Sequence, residues 1–585
     1  MNVSRVFDIL PHIKSNFNSP DVLAAKENGQ WRSYSIDEVI EKVNAVSYGL
    51  MQLGVKKGDR VSIMSTNRPE WNIADLGIAQ LGAVSVPLYP TVSEKDLAYI
   101  LAEAEVKVAL VSDSDLYHKT KVASQLKGLN FELFAFDQFE NGENWQALMD
   151  LGNQNKKKDD LELVKSNVDT FDLLTLIYTS GTTGEPKGVM LSHQNLISNV
   201  LSSRVVCPIN ETHRALSFLP LSHIFERMLV YLYLYTGAQI YYAENLEKIG
   251  DNLKEINPYV FSTVPRLLEK VYDKIIAKGH ELTGIKKWLF FWAVDLGLKY
   301  EYDEKNGAWY EFKLKIARKI IFSKWLEALG GNVGIIVTGA AALQPRLARV
   351  FSAAGIHVWE GYGLTETSPV ICVNNLIFGR KFGTVGATIP GVEIKLAEDG
   401  EILTRGPNVM MGYYKKPEIT AEVIKDGWFH TGDIGVMEDG KYLKITDRKK
   451  EIFKTSGGKY IAPQPIENKL KESIYIEQVM VVGSGEKYAA ALIVPAFLVL
   501  KDWASKNGLA NLSNQELIAN NQVKELIQND IDFCNKGLGN WETIKKFSLL
   551  PAEWTIDGLE LTPTLKLKRK IISQKYQSSI DSLFV

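Results

Sequence analysis

Apolar positions recur along this chain in two alternating rhythms. Residues 35–54, SIDEVIEKVNAVSYGLMQLG, carry apolar side chains at helical spacing and open at Ser35 with Glu38 three residues on, the pattern of a capped helix start. DRVSIMS (59–65) reads as a strand, NIADLGIAQLG as a helix, and AVSVPLY (83–89) as another strand. Strand, helix, strand predicts parallel sheet with helices on its faces, an α/β fold. The stretch 310–329, YEFKLKIARKIIFSKWLEAL, has the pattern of a basic amphipathic helix. EDGKYLKI predicts a turn and a strand, and ITDRKKEI (445–452) then reads as a boundary. Beyond it a smaller α/β pattern, with QVMVVGS and AAALIVP as strands, ends in the basic tail LKLKRKII. This divides the chain into 1–446, a hinge at 447–451, and 452–585.

Composition narrows the class. With 585 residues and 45% hydrophobic content, a large packed core is available. The net charge of −2 lacks the basic excess of a nucleic-acid binder, so no nucleic-acid partner is expected. Cys207, Cys372 and Cys534 are scattered, without the paired spacing of a zinc site or a disulfide framework, which points to a reducing, cytoplasmic compartment. The N-terminus has no signal-peptide core, and the apolar runs WLFFWAV (288–294) and MLVYLYLY (228–235) are too short to span a bilayer. A soluble protein is expected, with those runs read as core. Peripheral membrane contact through 228–235 and 310–329 is the alternative.

Candidate chemistry sits in five segments. YTSGTTGEPKGVMLSH (178–193) follows the apolar run FDLLTLI (171–177). Thr179, Ser180, Thr182 and Thr183 offer hydroxyls, Gly181 and Gly184 allow close approach of backbone, and Lys187 supplies a charge, a set suited to a triphosphate. The spacing is not that of a Walker loop, since Gly181 and Gly184 are three apart and Lys187 precedes a glycine. In VWEGYGLTETSP (358–369), Glu366 is a candidate carboxylate for Mg²⁺ and Tyr362 an aromatic that can stack on a base. In DGWFHTGDIG (426–435), Asp433 reads as a strand-edge turn acid that can accept ribose hydroxyls. TDRKKEIFKTSGGKYIAPQPIE (446–467) and LTPTLKLKRK (561–570) complete the set. Each alone is weak; a turn aspartate or a solvated lysine tail is the plainer reading of the last three.

Together and in this order, the five segments resemble the adenylate-forming, or AMP-binding, superfamily over roughly residues 20–580. Within it the chain is most similar to long-chain fatty acyl-CoA synthetases, through the fatty-acid segment with Asp426 in place of Asn, STVPRLLEKVYDKI (262–275), VTGAAAL (337–343) and LTPTLKLKRK. The resemblance implies a large N-terminal domain of α/β sheets with a small β-barrel part and a mobile C-terminal α/β domain. It implies ATP, Mg²⁺ and coenzyme A, and a two-step reaction: a fatty acid becomes an acyl-adenylate, then an acyl-CoA. It assigns β- and γ-phosphate contacts to 179–187, Mg²⁺ to Glu366 with Thr179 and Thr365, adenine to Gly339, Glu360, Gly361 and Tyr362, and ribose to Asp433 and Arg448. Lys450 falls on the hinge, and His223, in FLPLSHIFER (218–227), on a positioning site near the carboxylate. The catalytic lysine is assigned to Lys568, with Lys566 as the alternative, because the family's Gly-Lys pair is replaced there by Leu567-Lys568. A medium-chain, aryl or other acid, or a different thiol acceptor, is the competing reading of the adenylation chemistry. A binding protein that keeps only the fold is a third. The resemblance leaves monomer or homodimer open.

Overall fold

The computed structural model describes residues 3–18, 21–179, 185–562 and 564–585. One sheet of seven strands runs in the order Gly412–Tyr413, Lys187–Ser192, Leu173–Thr179, Val84–Leu88, Arg60–Met64, Val106–Val111, Glu132–Ala135. Its last five strands are parallel, as the strand–helix–strand rhythm predicts. The alternating elements form where expected: the helix Ile36–Gln52 begins at Ser35, whose hydroxyl accepts the Glu38 N–H at 3.2 Å.

A second sheet has nine strands. Its parallel centre joins His357–Gly363, Ile335–Thr338, Val260–Thr263, Arg214–Ser217, Gln239–Tyr242 and Leu23–Glu27. The helix Ile224–Tyr235 is buried along nearly its whole length, which explains its apolar sequence on every face. The run 228–235 is therefore interior and offers no surface to a membrane. Inside this helix Arg227 pairs with Asp75 at 2.6 Å, and both side chains are fully buried. Its guanidinium also donates to Thr175 Oγ1 and Ser85 Oγ, so one charged network ties the helix to two strands of the seven-stranded sheet.

An antiparallel sheet follows, built on the long strand Trp428–Glu438 between Glu401–Arg405 and Tyr442–Arg448. Beyond it, Ile476–Val482, Ala489–Pro495 and Ile544–Leu549 form a three-stranded sheet. Helices Pro463–Leu470 and Asn521–Asn535 contribute to one hydrophobic cluster on it, and Phe497–Lys506 and Arg569–Lys575 to another. Among the described residues, buried clusters fall either within 3–443 or within 461–583. Leu565 packs against a cluster of each group. The stretch 310–329 is helical as expected, with a π-helical turn at Arg318–Phe322 between Ala308–Ala317 and Ser323–Ala328. Among the described residues, no helix is long and apolar enough to cross a membrane.

Candidate active site

A cavity of about 2170 Å³ lies where the two sheets, the antiparallel sheet and the C-terminal segment meet. A site for one small molecule usually measures some ~300–1,000 Å³, so this one has room for several groups. Its walls gather most of the expected residues: Thr179, Lys187, His223, Gly339, Gly361, Tyr362, Thr365, Glu366, Asp433, Arg448, Lys450 and Lys568. Ser180, Gly181, Thr182, Thr183 and Gly184 lie outside the described residues.

One wall is a bare backbone platform. Gly339 follows the strand Ile335–Thr338, and Gly361 lies in the paired strand His357–Gly363. A Cβ added at Gly339 would come within 3.3 Å of the Gly361 carbonyl oxygen, so glycine keeps this surface flat enough for a planar ring. Tyr362 lies beside it, buried, and donates its hydroxyl to Asp433 Oδ2 at 2.7 Å. Asp433 does not lie in a strand-edge turn. It is within the long strand Trp428–Glu438, register-paired with Arg448, and Arg448 Nε lies 3.3 Å from its Oδ1. Gly432 before it takes a φ of 72°, and this kink accompanies the local irregularity that the turn reading anticipated. Burial raises the Asp433 carboxyl above its ordinary value, while Arg448 and the Tyr362 hydroxyl pull it back.

Glu360 is not on the cavity wall. Its buried carboxyl accepts the Leu343 N–H at 2.9 Å, and burial pushes it up to about 8. It anchors the 339–343 loop from behind rather than facing a ligand. Glu366 is half-buried, and its Oε1 accepts the Tyr413 hydroxyl at 2.8 Å. Lys187 Nζ sits 5.5 Å over the ring of that same tyrosine. Tyr413 thus orients the acid and covers the lysine stem, a role no motif had signalled. Glu401 was missed too: it accepts the Gly432 N–H at 2.9 Å and the Lys449 ammonium at 3.0 Å, bracing the strand on both sides of Asp433 and Arg448.

The two candidate lysines differ sharply. Lys566 projects among charged groups of the cavity: burial, with Arg448 adding, brings its ammonium down to about 8, while Asp433, Glu451 and Glu366 oppose the shift. Its charge in turn acts on Asp433 and on His223. Lys568 instead stands at the N-cap of the helix Arg569–Lys575, its N–H bonded to the Glu560 carbonyl at 2.7 Å. The backbone explains the difference. Leu565 has a φ of 60°, the left-handed region that favours glycine, so the position matching the family's glycine is Leu565 and the lysine after it is Lys566. The turn is held by Thr562, whose hydroxyl accepts the Lys566 N–H at 3.0 Å. The reading of Leu567-Lys568 as that pair was one step too far along, and a leucine at a positive φ carries no sequence signal of it.

His223 caps the helix Ile224–Tyr235, its Nδ1 accepting the Phe225 N–H at 3.2 Å. The proton is then on Nε2, the nitrogen left free to donate. Burial first, and Lys566 second, hold the imidazole down to about 3, so it is neutral across the physiological range. From His223 the cavity continues along one face of that helix, past Phe225, Met228, Leu229 and Leu232, to Val206 and Cys207. At 1.5 Å per residue, the span from 223 to 232 is about 13 Å of mostly apolar wall. Among the described residues no three His, Cys, Asp or Glu side chains form a metal cluster. A lone carboxylate with threonine hydroxyls nearby is a hard-oxygen set that suits Mg²⁺, which keeps waters and substrate phosphate oxygens as its other ligands.

The comparisons with known proteins agree with this architecture. Residues 14–414 match the family described as AMP-binding enzyme, and 450–585 the AMP-binding enzyme C-terminal domain. The chain is 34% identical over 565 residues to the long-chain-fatty-acid–CoA ligase FadD15 of Mycobacterium bovis, covering 95% of this chain and 93% of that protein. It is 34% identical over 616 residues to human long-chain-fatty-acid–CoA ligase 1, covering 98% and 85%. The adenylation domain of a carboxylate reductase from Mycobacterium chelonae superposes with a TM-score of 0.75 at 21% identity, covering 99% of this chain and 91% of that one.

Proposed function

Because this chain belongs to the AMP-binding enzyme family, we propose that it activates a long-chain fatty acid with ATP to an acyl-adenylate and passes the acyl group to coenzyme A, releasing AMP and pyrophosphate. The observation that carries this reading is the single cavity that joins Lys566, Asp433 and His223 to the apolar wall Met228, Leu229 and Leu232. A polar nucleotide end and an apolar acyl end share one enclosure, with a cation between them. The names of the relatives at 34% identity support the acid and the acceptor.

In this reading the adenine lies on Gly339, Gly361 and Tyr362, and the ribose hydroxyls bond Asp433 and Arg448. Lys187 and Thr179 hold the outer phosphates. Lys566 lies between the carboxylate and the α-phosphate, where negative charge crowds as the carboxylate oxygen attacks and pyrophosphate departs. The carboxylate is already ionised and needs no base; the Nε2–H of His223 orients it. Glu366, with Thr179 and Thr365, would hold Mg²⁺, which when bound neutralises triphosphate charge. The segments 1–446 and 452–585 then act as two bodies turning about 447–451, with Lys450 taking the dihedral change. Removing Lys566 from the cavity in that turn would open the acyl carbonyl to the thiol. With Cys207, Cys372 and Cys534 all buried free thiols, the reaction suits the cytoplasm, with peripheral contact at the inner face of a membrane.

The test is a paired reaction: protein, ATP and Mg²⁺ with octanoate, palmitate, oleate or benzoate, with and without coenzyme A, products read by mass spectrometry. Palmitoyl- or oleoyl-CoA with AMP, formed only when coenzyme A is present, is the expected result. Adenylate without thioester would redirect the second step to another acceptor, and benzoyl products alone would overturn the acid.

A further inference from the structure

The helices of 284–328 present large apolar side chains to solvent in two stripes. On Gly284–Leu298 these are Ile285 and Trp288, 78% and 65% exposed, with Trp292 stacked on Trp288. On Ala308–Ala317 they are Trp309 and Phe312, 69% and 54% exposed and stacked on each other, continued by Ile316 and, in the π turn, Ile320. The spacing of three and four residues puts each set on one helix face. Both helices bury their other faces in the same hydrophobic cluster, through Phe290, Ala293 and Val294 in one and Leu314 and Ala317 in the other. The two stripes therefore both line the outside of this lobe. Exposed aromatics in such a group mark an interaction surface.

The charge around the stripes identifies the partner. Outside the connecting loop, these helical segments carry seven basic residues against three acidic ones, Asp295, Glu311 and Glu327, in a chain whose net charge is −2. Lys313 Nζ lies 5.3 Å over the Trp309 ring, and Lys286, Lys315 and Lys319 are exposed beside the apolar stripes. Tryptophan and phenylalanine at the level of the head groups, with lysines reaching past them to phosphate, is the composition of a helix that lies in the plane of a membrane surface. An acidic protein surface would match the lysines but not two exposed tryptophans aimed at solvent. No helix here is able to span, so the contact is interfacial. The surface is also close to the cavity in the fold: Pro265–Glu281 starts in the cavity wall at Pro265, Arg266 and Glu269, and its Gly279 packs on Phe290 of the tryptophan-bearing helix.

We propose that this helical lobe is a docking face for an anionic lipid bilayer, with Trp288, Trp309 and Phe312 as its apolar anchors and the flanking lysines as its phosphate contacts. The full-length protein is sedimented with vesicles of phosphatidylcholine alone and of phosphatidylcholine with phosphatidylserine, at low and at high salt, and its tryptophan emission is read with brominated lipids. Binding to the mixed vesicles, weakened by salt, with quenching of tryptophan, is expected. The variant Trp288→Ser/Trp309→Ser/Phe312→Ser should bind roughly tenfold or more weakly, and Lys313→Glu/Lys319→Glu should lose the preference for anionic lipid. All five positions are on the surface, and a thermal melt of each variant checks that the fold is kept. Wild-type protein that neither sediments nor is quenched overturns the proposal, and so does a triple variant that binds like wild type. Concentration-dependent self-association abolished by the triple variant, without vesicle binding, would make a second copy the occupant and overturn it equally. The outcome is independent of the ligase reading, since no substrate is present.

Discussion

The Tyr362 hydroxyl donates to Asp433 Oδ2 at 2.7 Å, which joins the last strand of the parallel sheet to the antiparallel sheet beyond it. One contact thereby sets the distance between the platform proposed for adenine and the acid proposed for ribose. Tyr362→Phe keeps the ring and removes this bond, worth about 1.5–3 kcal/mol to a charged acceptor. We expect KM for ATP to rise by about tenfold or more with palmitate kinetics otherwise intact. Because the hydroxyl helps hold the Asp433 carboxyl down against burial, its loss raises that group further. Activity should then fail at a higher pH on the acid side than in wild type, since the ionised form is the one that accepts ribose hydroxyls.

The lysine assignment separates cleanly by half-reaction. Lys566→Ala should lower acyl-adenylate formation by about 10²–10³, the usual cost of one missing transition-state donor, and leave thioester formation from supplied acyl-AMP nearly unchanged. Lys568→Ala should retain adenylation to within a fewfold. Burial brings the Lys566 amine down to about 8, so its charge is present below that pH and lost as the pH rises through it. In the free protein kcat/KM for ATP should decline above about pH 8, whereas bound triphosphate favours the ammonium and carries the kcat limb higher. Lys566→Arg should remove that limb.

Glu360 offers a test of position against chemistry. Its carboxyl, raised to about 8 by burial, makes one bond to the Leu343 N–H, which an amide oxygen also accepts. Glu360→Gln should keep near-wild-type kinetics. Glu360→Ala leaves that N–H unpaired in the interior and should raise KM for ATP through a loosened 339–343 loop.

Arg266 and Glu477 form an ion pair between the helix at the cavity wall and the C-terminal sheet. Lys270 Nζ, 3.8 Å from Glu553, and Gln344 Nε2, 3.5 Å from the Lys471 carbonyl, lie beside it. These contacts exist only while the C-terminal segment holds its present orientation. Arg266→Ala should slow adenylation by about fivefold, the effect of an ion pair worth about 1 kcal/mol, without slowing the thioester step. Raising the salt should reproduce the effect in wild type. Equal loss in both half-reactions would rule out this role.

For stability, the critical charge is Arg227. Asp75→Ala strands a fully buried guanidinium and should cost about 3–5 kcal/mol in denaturant unfolding. The double variant Asp75→Leu/Arg227→Met removes both charges and should recover much of that loss.

The order of strands and helices was legible in the chain itself, because a period of two or of three and a half is local information. So were the capped start at Ser35 and most of the residues that meet in the cavity. Local patterning also marked 310–329 as a basic amphipathic helix. What tertiary structure alone decided is which way side chains face and what surrounds them. The run 228–235 is interior because two sheets enclose it. Asp433 is within a strand because Arg448 pairs with it across the sheet. Glu360 is behind its loop rather than in front of it because alternate residues of a strand point to opposite faces. Lys566 rather than Lys568 enters the cavity because Leu565 adopts a left-handed backbone, packed between two hydrophobic clusters that are far apart in sequence. A backbone turn imposed by distant contacts leaves no trace in the residue that makes it.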